Sequence, residues 1–169
     1  DLTECYIAGL EPAENLAEQA NKDGIPTLNA WWSVATANAM AMVEKADLIT
    51  ATNVFAHVDD IHAFVSAVKT LLKEDGVFLL EVPRLGTMVT NGTWDLVYHE
   101  HLSYWSLNAL IDLFEQRQMT VRYVESPPIH GGSYRLYVTR AGKGPEALRS
   151  GNIQRTSPEW PTVEEFAVF

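Results

Sequence analysis

Two kinds of apolar pattern alternate between residues 46 and 83, and that alternation limits the fold more than any other feature of the chain. ADLITAT (46–52) is a short β-branched run of the kind that fills a central parallel strand. DIHAFVSAVKTLLK (60–73) then repeats its apolar residues at helical spacing through Ile61, Phe64, Val65, Val68, Leu71 and Leu72, and GVFLLEVP (76–83) is again a buried strand. Lys73 to Gly76 between them predict a charged last helical turn with a glycine stop. Upstream the same rhythm repeats. CYIAGL (5–10) reads as a strand, and Pro12 opens a helix over AENLAEQANK with Ala13, Leu16, Ala17 and Ala20 on one face. IPTL (25–28) is a brief strand, and Ser33 to Lys45 a second helix. Strands separated by helices pair in parallel through right-handed crossovers, so the expected fold is α/β with a doubly wound, mostly parallel sheet.

After Pro83 the rhythm stops. Residues 84–105 show no single period. Ser106 is placed to cap a helix that runs to Arg117, and MTVRYVE (119–125) and SYRLYVT (133–139) are β-rich runs that can pair antiparallel across SPPIHGG. Residues 141–161 are turn-rich and predict a linker, followed by the start of another helix.

The 47% of apolar residues in 169 gives one domain with a real core, which sets disorder aside. No apolar run approaches a membrane span and no basic leader opens the chain, so a soluble, cytoplasmic protein is expected. Cys5, the single cysteine, cannot build a disulfide framework or a cysteine zinc site within the chain. A net charge of −10 opposes nucleic acid as a partner unless basic residues gather in space, and no basic run is present in the sequence.

In a parallel sheet, ligands bind beyond the carboxyl ends of the strands, where the unusual residues of this chain fall. Glu11 follows the first strand, where one carboxylate can accept from both hydroxyls of a ribose; it can equally be a solvated acid at a helix start. NVFAH (53–57) follows ADLITAT and ends on His57, a residue for the site or a cap for the next helix. YHEHLSY (98–104) gathers two of the five histidines around Glu100, between Tyr98 and Tyr104. Imidazole, carboxylate and phenol are the parts of a proton-transfer site. If extended, the segment points His99 and His101 to one side, and with His57 they also offer a metal set, although H-x-H alone signals metal weakly. HGGS (130–133) reads as a turn, with a phosphate cradle as the sharper alternative.

Taken in order, GLEPAENLAEQANKDGIPT, ADLITATNVFAHVDDIHAFVSAVKTLLKEDGVFLLEVP, YHEHLSYWSLNALIDLFE and HGGSYRLY resemble the central domain of the S-adenosylmethionine-dependent sugar C-methyltransferases over about Gly9 to Tyr137. The resemblance implies a class I methyltransferase core, with methyl transfer from S-adenosylmethionine to a carbon beside the ketone of a nucleotide-linked 4-keto-deoxysugar. It assigns Glu11 to the cofactor ribose and Asn53, Val54 and Phe55 to the cofactor site. His101 becomes the general base, with Glu100 and Tyr98 as its partners and His57 facing the sugar. The family's first strand and glycine-rich loop would precede residue 1. The chain is therefore expected to be a piece of a longer protein: a partial core over 1–140, a linker and C-terminal start over 141–169, and an open sheet edge through which copies could associate. Two other classes stay open at this stage, a metal-dependent hydrolase or isomerase using His57, His99 and His101, and a non-catalytic interaction domain.

Overall fold

A computed structural model describes residues 5–149. The element order is β1 (Gly9–Leu10), α1 (Glu14–Lys22), β2 (Thr27–Leu28), α2 (Val34–Val43), β3 (Ala46–Thr52), α3 (Ile61–Leu71), β4 (Leu72–Pro83), α4 (Leu85–Asn91), α5 (Leu107–Gln116), β5 (Met119–Glu125), β6 (Ser133–Arg140) and α6 (Glu146–Arg149). The βαβα rhythm is present and the late strands pair antiparallel. The strands form two ladders, a parallel pair β1–β2 and a four-stranded sheet in the order β3-β4-β6-β5, in which β3–β4 is parallel and both pairings of β6 are antiparallel. The sheet is thus mixed, parallel through the βαβ part and antiparallel at the late strand pair. ADLITAT, expected at the centre, lies at the sheet's edge, because among the described residues no strand pairs with its outer side.

Three local expectations change. CYIAGL forms a strand only at Gly9–Leu10. The helix expected to end in the turn Lys73–Gly76 stops at Leu71, and Leu72 already pairs with Ala46 before the register jumps to Leu48–Val77. The four residues between bulge out of the ladder. Glycine is required there, since a Cβ at Gly76 would stand 3.0 Å from the Ala46 carbonyl oxygen and 2.8 Å from Leu72 Cδ1. The segment expected to be irregular contains α4, whose Met88 and Val89 are buried and whose end is fixed by Gly92 at φ 64°. Short apolar stretches broken by threonine and glycine show too little periodicity to announce such a helix. The expected linker begins with the short α6; the helix expected beyond it lies outside the described residues.

The main core lies on one face of the four-stranded sheet. Phe78, Leu80 and Val82 of β4 alternate onto that face with Leu136 and Val138 of β6, and all five are fully buried. α3 and α5 cover them. Asp60 caps α3, its carboxylate accepting from the Ala63 N–H at 2.8 Å, and Ser106 caps α5 as expected, accepting from Ala109 at 3.3 Å. α2 packs on α3 through Ala37, Ala67 and Leu71. On the opposite face Glu81 is buried, and it is tolerated because its ladder partner Arg135 donates to it from Nε at 2.9 Å and from Nη2 at 2.7 Å. Arg135 also reaches Glu125 of β5 at 3.3 Å. The bond from Glu81 is the first reason the Arg135 guanidinium is held even more firmly protonated than usual. Burial, followed by the charge of Glu125, pushes the Tyr137 phenol up from its ordinary value. Among the described residues no helix is long and apolar enough to cross a membrane.

Candidate active site

The carboxyl ends of β3 and β4 are tied together just where the chain leaves them. Asn53 donates its backbone N–H to the Glu81 carbonyl at 3.0 Å and turns the chain with φ 55°, a conformation asparagine accepts more readily than most residues. A 3₁₀ turn over Phe55–His57 follows. Phe55 and Ala56 face inward and His57 outward. The Phe55 ring is sealed in the core between Phe64 and Trp105, with both centroids 5.3 Å away, so only its backbone can serve a ligand. The Val54 side chain is exposed. Asn53 Oδ1 is buried and accepts no hydrogen bond.

YHEHLSY docks on this turn. The Leu102 N–H donates to the Ala56 carbonyl at 2.8 Å, and the His101 N–H donates to the Tyr98 carbonyl at 3.0 Å. Tyr98 to His101 is therefore a turn and not the extended segment in which His99 and His101 would share a side. The turn brings Tyr98 and His101 together, and its tip carries His99 and Glu100 outward, with 89% and 63% of their side chains exposed and 3.8 Å between them. His101 sits half-buried with both ring nitrogens engaged: Nδ1 lies 2.8 Å from the Leu96 carbonyl oxygen and Nε2 2.9 Å from the Tyr98 hydroxyl. A carbonyl can only accept, so Nδ1 carries the proton and donates it. Nε2 is then a lone pair receiving the phenol O–H. The His57 ring packs edge-on to His101 at 4.8 Å between centroids.

These groups line a cavity of about 140 Å³ whose walls include Asn53, His57, Pro83, Tyr98, His101 and His130. His130 is the member that sequence reasoning missed, having treated HGGS as a turn. It is a turn, since Ile129–Gly131 is a 3₁₀ segment, but His130, Gly131 and Gly132 all have positive φ, at 52°, 77° and 123°. Gly132 must be glycine on two counts: its φ, and the Thr87 hydroxyl that a Cβ would meet at 2.9 Å. The signal available in the sequence was a histidine set beside two glycines between two strands.

The metal set His57, His99 and His101 is not assembled, because the turn directs His99 away from the cavity. Among the described residues no group of three or more His, Cys, Asp or Glu stands close enough to hold a metal ion. Glu11, at the end of β1, accepts from the Ala13 N–H through Oε1 at 2.8 Å, which fixes the start of α1. Its Oε2 has no partner among the described residues.

A family model described as a methyltransferase domain matches residues 4–124. The chain belongs to this methyltransferase-domain family. It is 37% identical over 136 residues to the C-methyltransferase NovU of Streptomyces niveus, a match covering 80% of this chain and 32% of that protein. The chain thus spans about a third of the length of this curated relative. Among solved structures, magnesium protoporphyrin IX methyltransferase of Synechocystis with bound S-adenosylhomocysteine superposes with a TM-score of 0.59 at 12% identity, covering 81% of this chain and 65% of that one. The 1,6-didemethyltoxoflavin N1-methyltransferase of Burkholderia thailandensis, with its substrate and S-adenosylhomocysteine, gives 0.53 at 16% identity, covering 80% and 61%. At such identities these structures speak for the fold, and the fold is the Rossmann-like one of class I methyltransferases.

Proposed function

We propose that this chain is the cofactor- and base-bearing core of an S-adenosylmethionine-dependent C-methyltransferase that acts on the carbon beside the ketone of a nucleotide-linked 4-keto-deoxysugar. The observation that carries this is the chain of hydrogen bonds from Tyr98 through His101 to Leu96 at the strand ends, in a sequence similar to a C-methyltransferase. Methylating carbon requires a carbanion equivalent, and a carbon beside a ketone provides one as its enolate once a base removes the proton. His101 has the right tautomer for that task, with Nδ1–H anchored on a backbone carbonyl and at Nε2 a single lone pair, which the Tyr98 hydroxyl leaves free when it turns to the ketone oxygen of a bound substrate. The substrate proton passes to Nε2, and the electron pair left on carbon spreads onto the ketone oxygen. The Tyr98 hydroxyl, having left Nε2, donates to the ketone oxygen and then to the enolate oxygen that forms from it. His57 and His130 line the same cavity and bind the sugar.

Two acceptors suit the cofactor. Glu11 Oε2 can take the ribose hydroxyls, and buried Asn53 Oδ1 lacks the donor that a ligand N–H or O–H would supply. S-adenosylmethionine, when bound, supplies a methyl group on a sulfonium centre. The chain's task is then alignment and the exclusion of water.

The decisive experiment incubates the protein in D₂O with a 4-keto sugar nucleotide and S-adenosylhomocysteine, which has no methyl to donate. Deuterium is expected at the carbon beside the ketone. No exchange with any 4-keto sugar nucleotide offered would defeat the proposal. A second measurement addresses Glu11. Glu11→Ala is expected to weaken S-adenosylmethionine binding by about 1.5–3 kcal/mol, the range for hydrogen bonds to a charged group. Glu11→Gln keeps an acceptor for the Ala13 N–H and separates the loss of the helix start from the loss of the ribose contact. A dissociation constant unchanged in Glu11→Ala removes Glu11 from the site.

A further inference from the structure

A larger cavity of about 450 Å³ lies at the other pole of the sheet, walled by Lys45, Lys69, Arg117 and Arg140 together with Ser66 and Thr70. We infer that it is a binding site for a small phosphate-bearing anion, separate from the methyl-transfer site.

The topology fixes the separation. Lys45 immediately precedes β3 and Asn53 immediately follows it, so seven strand residues lie between the two cavities, about 20 Å at the rise of a β-strand. α3 and β6 have the same polarity. α3 begins beside His57 and carries Lys69 at its far end, and β6 begins beside His130 and ends on Arg140.

Charge decides what the cavity can take. The chain has twelve basic residues and a net charge of −10, yet four of the twelve line this one depression and no Asp or Glu does. Like charges are brought together against their repulsion, which an anion would relieve. Some of the positive charge has an internal use: α3 and α5 both end here, and Arg140 donates from Nη2 to the Lys69 and Leu72 carbonyls. Lys69 donates to Gln118 Oε1 at 2.8 Å. The rest is uncommitted. Among the described residues the Lys45 ammonium and the Arg117 guanidinium have no hydrogen-bond or ion-pair partner, and Nε of both Arg117 and Arg140 is buried without an acceptor. The hydroxyls of Ser66 and Thr70 donate to the His62 and Ser66 carbonyls, so their protons are spent and recognition falls to the cations. The Arg117 guanidinium and the Lys45 ammonium, with the charge of Lys69 and Arg140 beside them, match a tetrahedral oxyanion, and the volume lies within the range of small-ligand sites.

The test is calorimetric titration of the protein at low ionic strength with inorganic phosphate and, separately, with pyrophosphate. Saturable one-to-one binding is expected, tighter for pyrophosphate. Lys45→Gln with Arg117→Gln should weaken pyrophosphate at least about tenfold, since each removes a charge-assisted contact. Neither side chain bonds to the rest of the described fold, and the thermal melt should stay in place. Exposed Lys45→Gln alone serves if the double variant does not fold. Lys22→Gln, on α1, is the control for net charge and should bind as wild type. No binding of either anion, equal affinity in the Lys45 and Arg117 variants, an equal loss in Lys22→Gln, or displacement of pyrophosphate by S-adenosylmethionine would each overturn the assignment.

Discussion

His101→Ala stops deuterium from entering the carbon beside the ketone and lowers turnover by roughly 10²–10⁴, the range for losing a general base, while S-adenosylmethionine binds as before. The reason is where the ring is held. The Nδ1–H···Leu96 bond sets the tautomer, and alanine removes the lone pair at Nε2 without touching Glu11 or Asn53. Tyr98→Phe removes the phenol O–H that steadies the enolate and leaves the imidazole anchored through Nδ1, so it should slow deuterium exchange and methyl transfer together, less severely than His101→Ala. His99→Ala should do little, since its ring lies at the exposed tip of the turn. Equal exchange in wild type and His101→Ala would move the base to a neighbour. His57 is the first to test, because its ring touches that of His101.

The largest loss of stability is expected from Phe78→Ala, about 3–5 kcal/mol, as for other buried aromatic truncations. Phe78 is fully buried at the middle of β4, opposite Ile49 of β3 and Val138 of β6. Its ring lies 6.4 Å from that of Phe64 on α3 and 6.1 Å from that of Phe114 on α5, so one cavity would loosen both helices from the sheet. Urea unfolding should show a lower midpoint at an unchanged slope. Leu79→Ala, one residue along but on the half-buried opposite face, should cost clearly less. Equal losses would mean that the core does not lie where Phe78 points.

The sequence displayed those parts of the fold that rest on local pattern. β3 and β5 were legible to the residue because an apolar run between polar ends specifies a strand, and α5 because Ser106 marks its start. Partnership was not legible. Nothing within ADLITAT says whether strands flank it on both sides or one, and nothing in Glu81 announces that Arg135, 54 residues later, will neutralise it. The site divides in the same way. Tyr98 and His101 are three residues apart and one turn joins them, so the resemblance could name them as partners, although the residues alone left the segment extended with His99 beside His101. His130 reaches the cavity only because β5 and β6 pair and their connecting loop folds over β4. The basic cluster shows this most clearly: Lys45, Lys69, Arg117 and Arg140 are more than twenty residues apart in every gap, and only packing at the ends of α3 and α5 gathers them.

Among the described residues the two ladders share no backbone hydrogen bond. The unit β1–α1–β2 is held to the four-stranded sheet through the residues after β2: the Trp32 indole donates to the Phe64 carbonyl at 3.2 Å, and α2 lies on α3. Tyr6, Ile7, Leu16 and Leu28 in and around that unit stay exposed, whereas nearly all the large buried side chains belong to the four-stranded sheet and the helices and turns packed on it. Such a molecule can open in part: the small ladder can come apart as its own cooperative unit, at a free energy well below that of global unfolding, while the histidine cavity keeps its shape. Glu11 rides on the unit that opens and His101 on the one that does not. A ligand that bridged them would act as a clasp, spending some of its affinity on holding the small ladder shut and thereby slowing amide exchange in β1 and β2 far more than in β4.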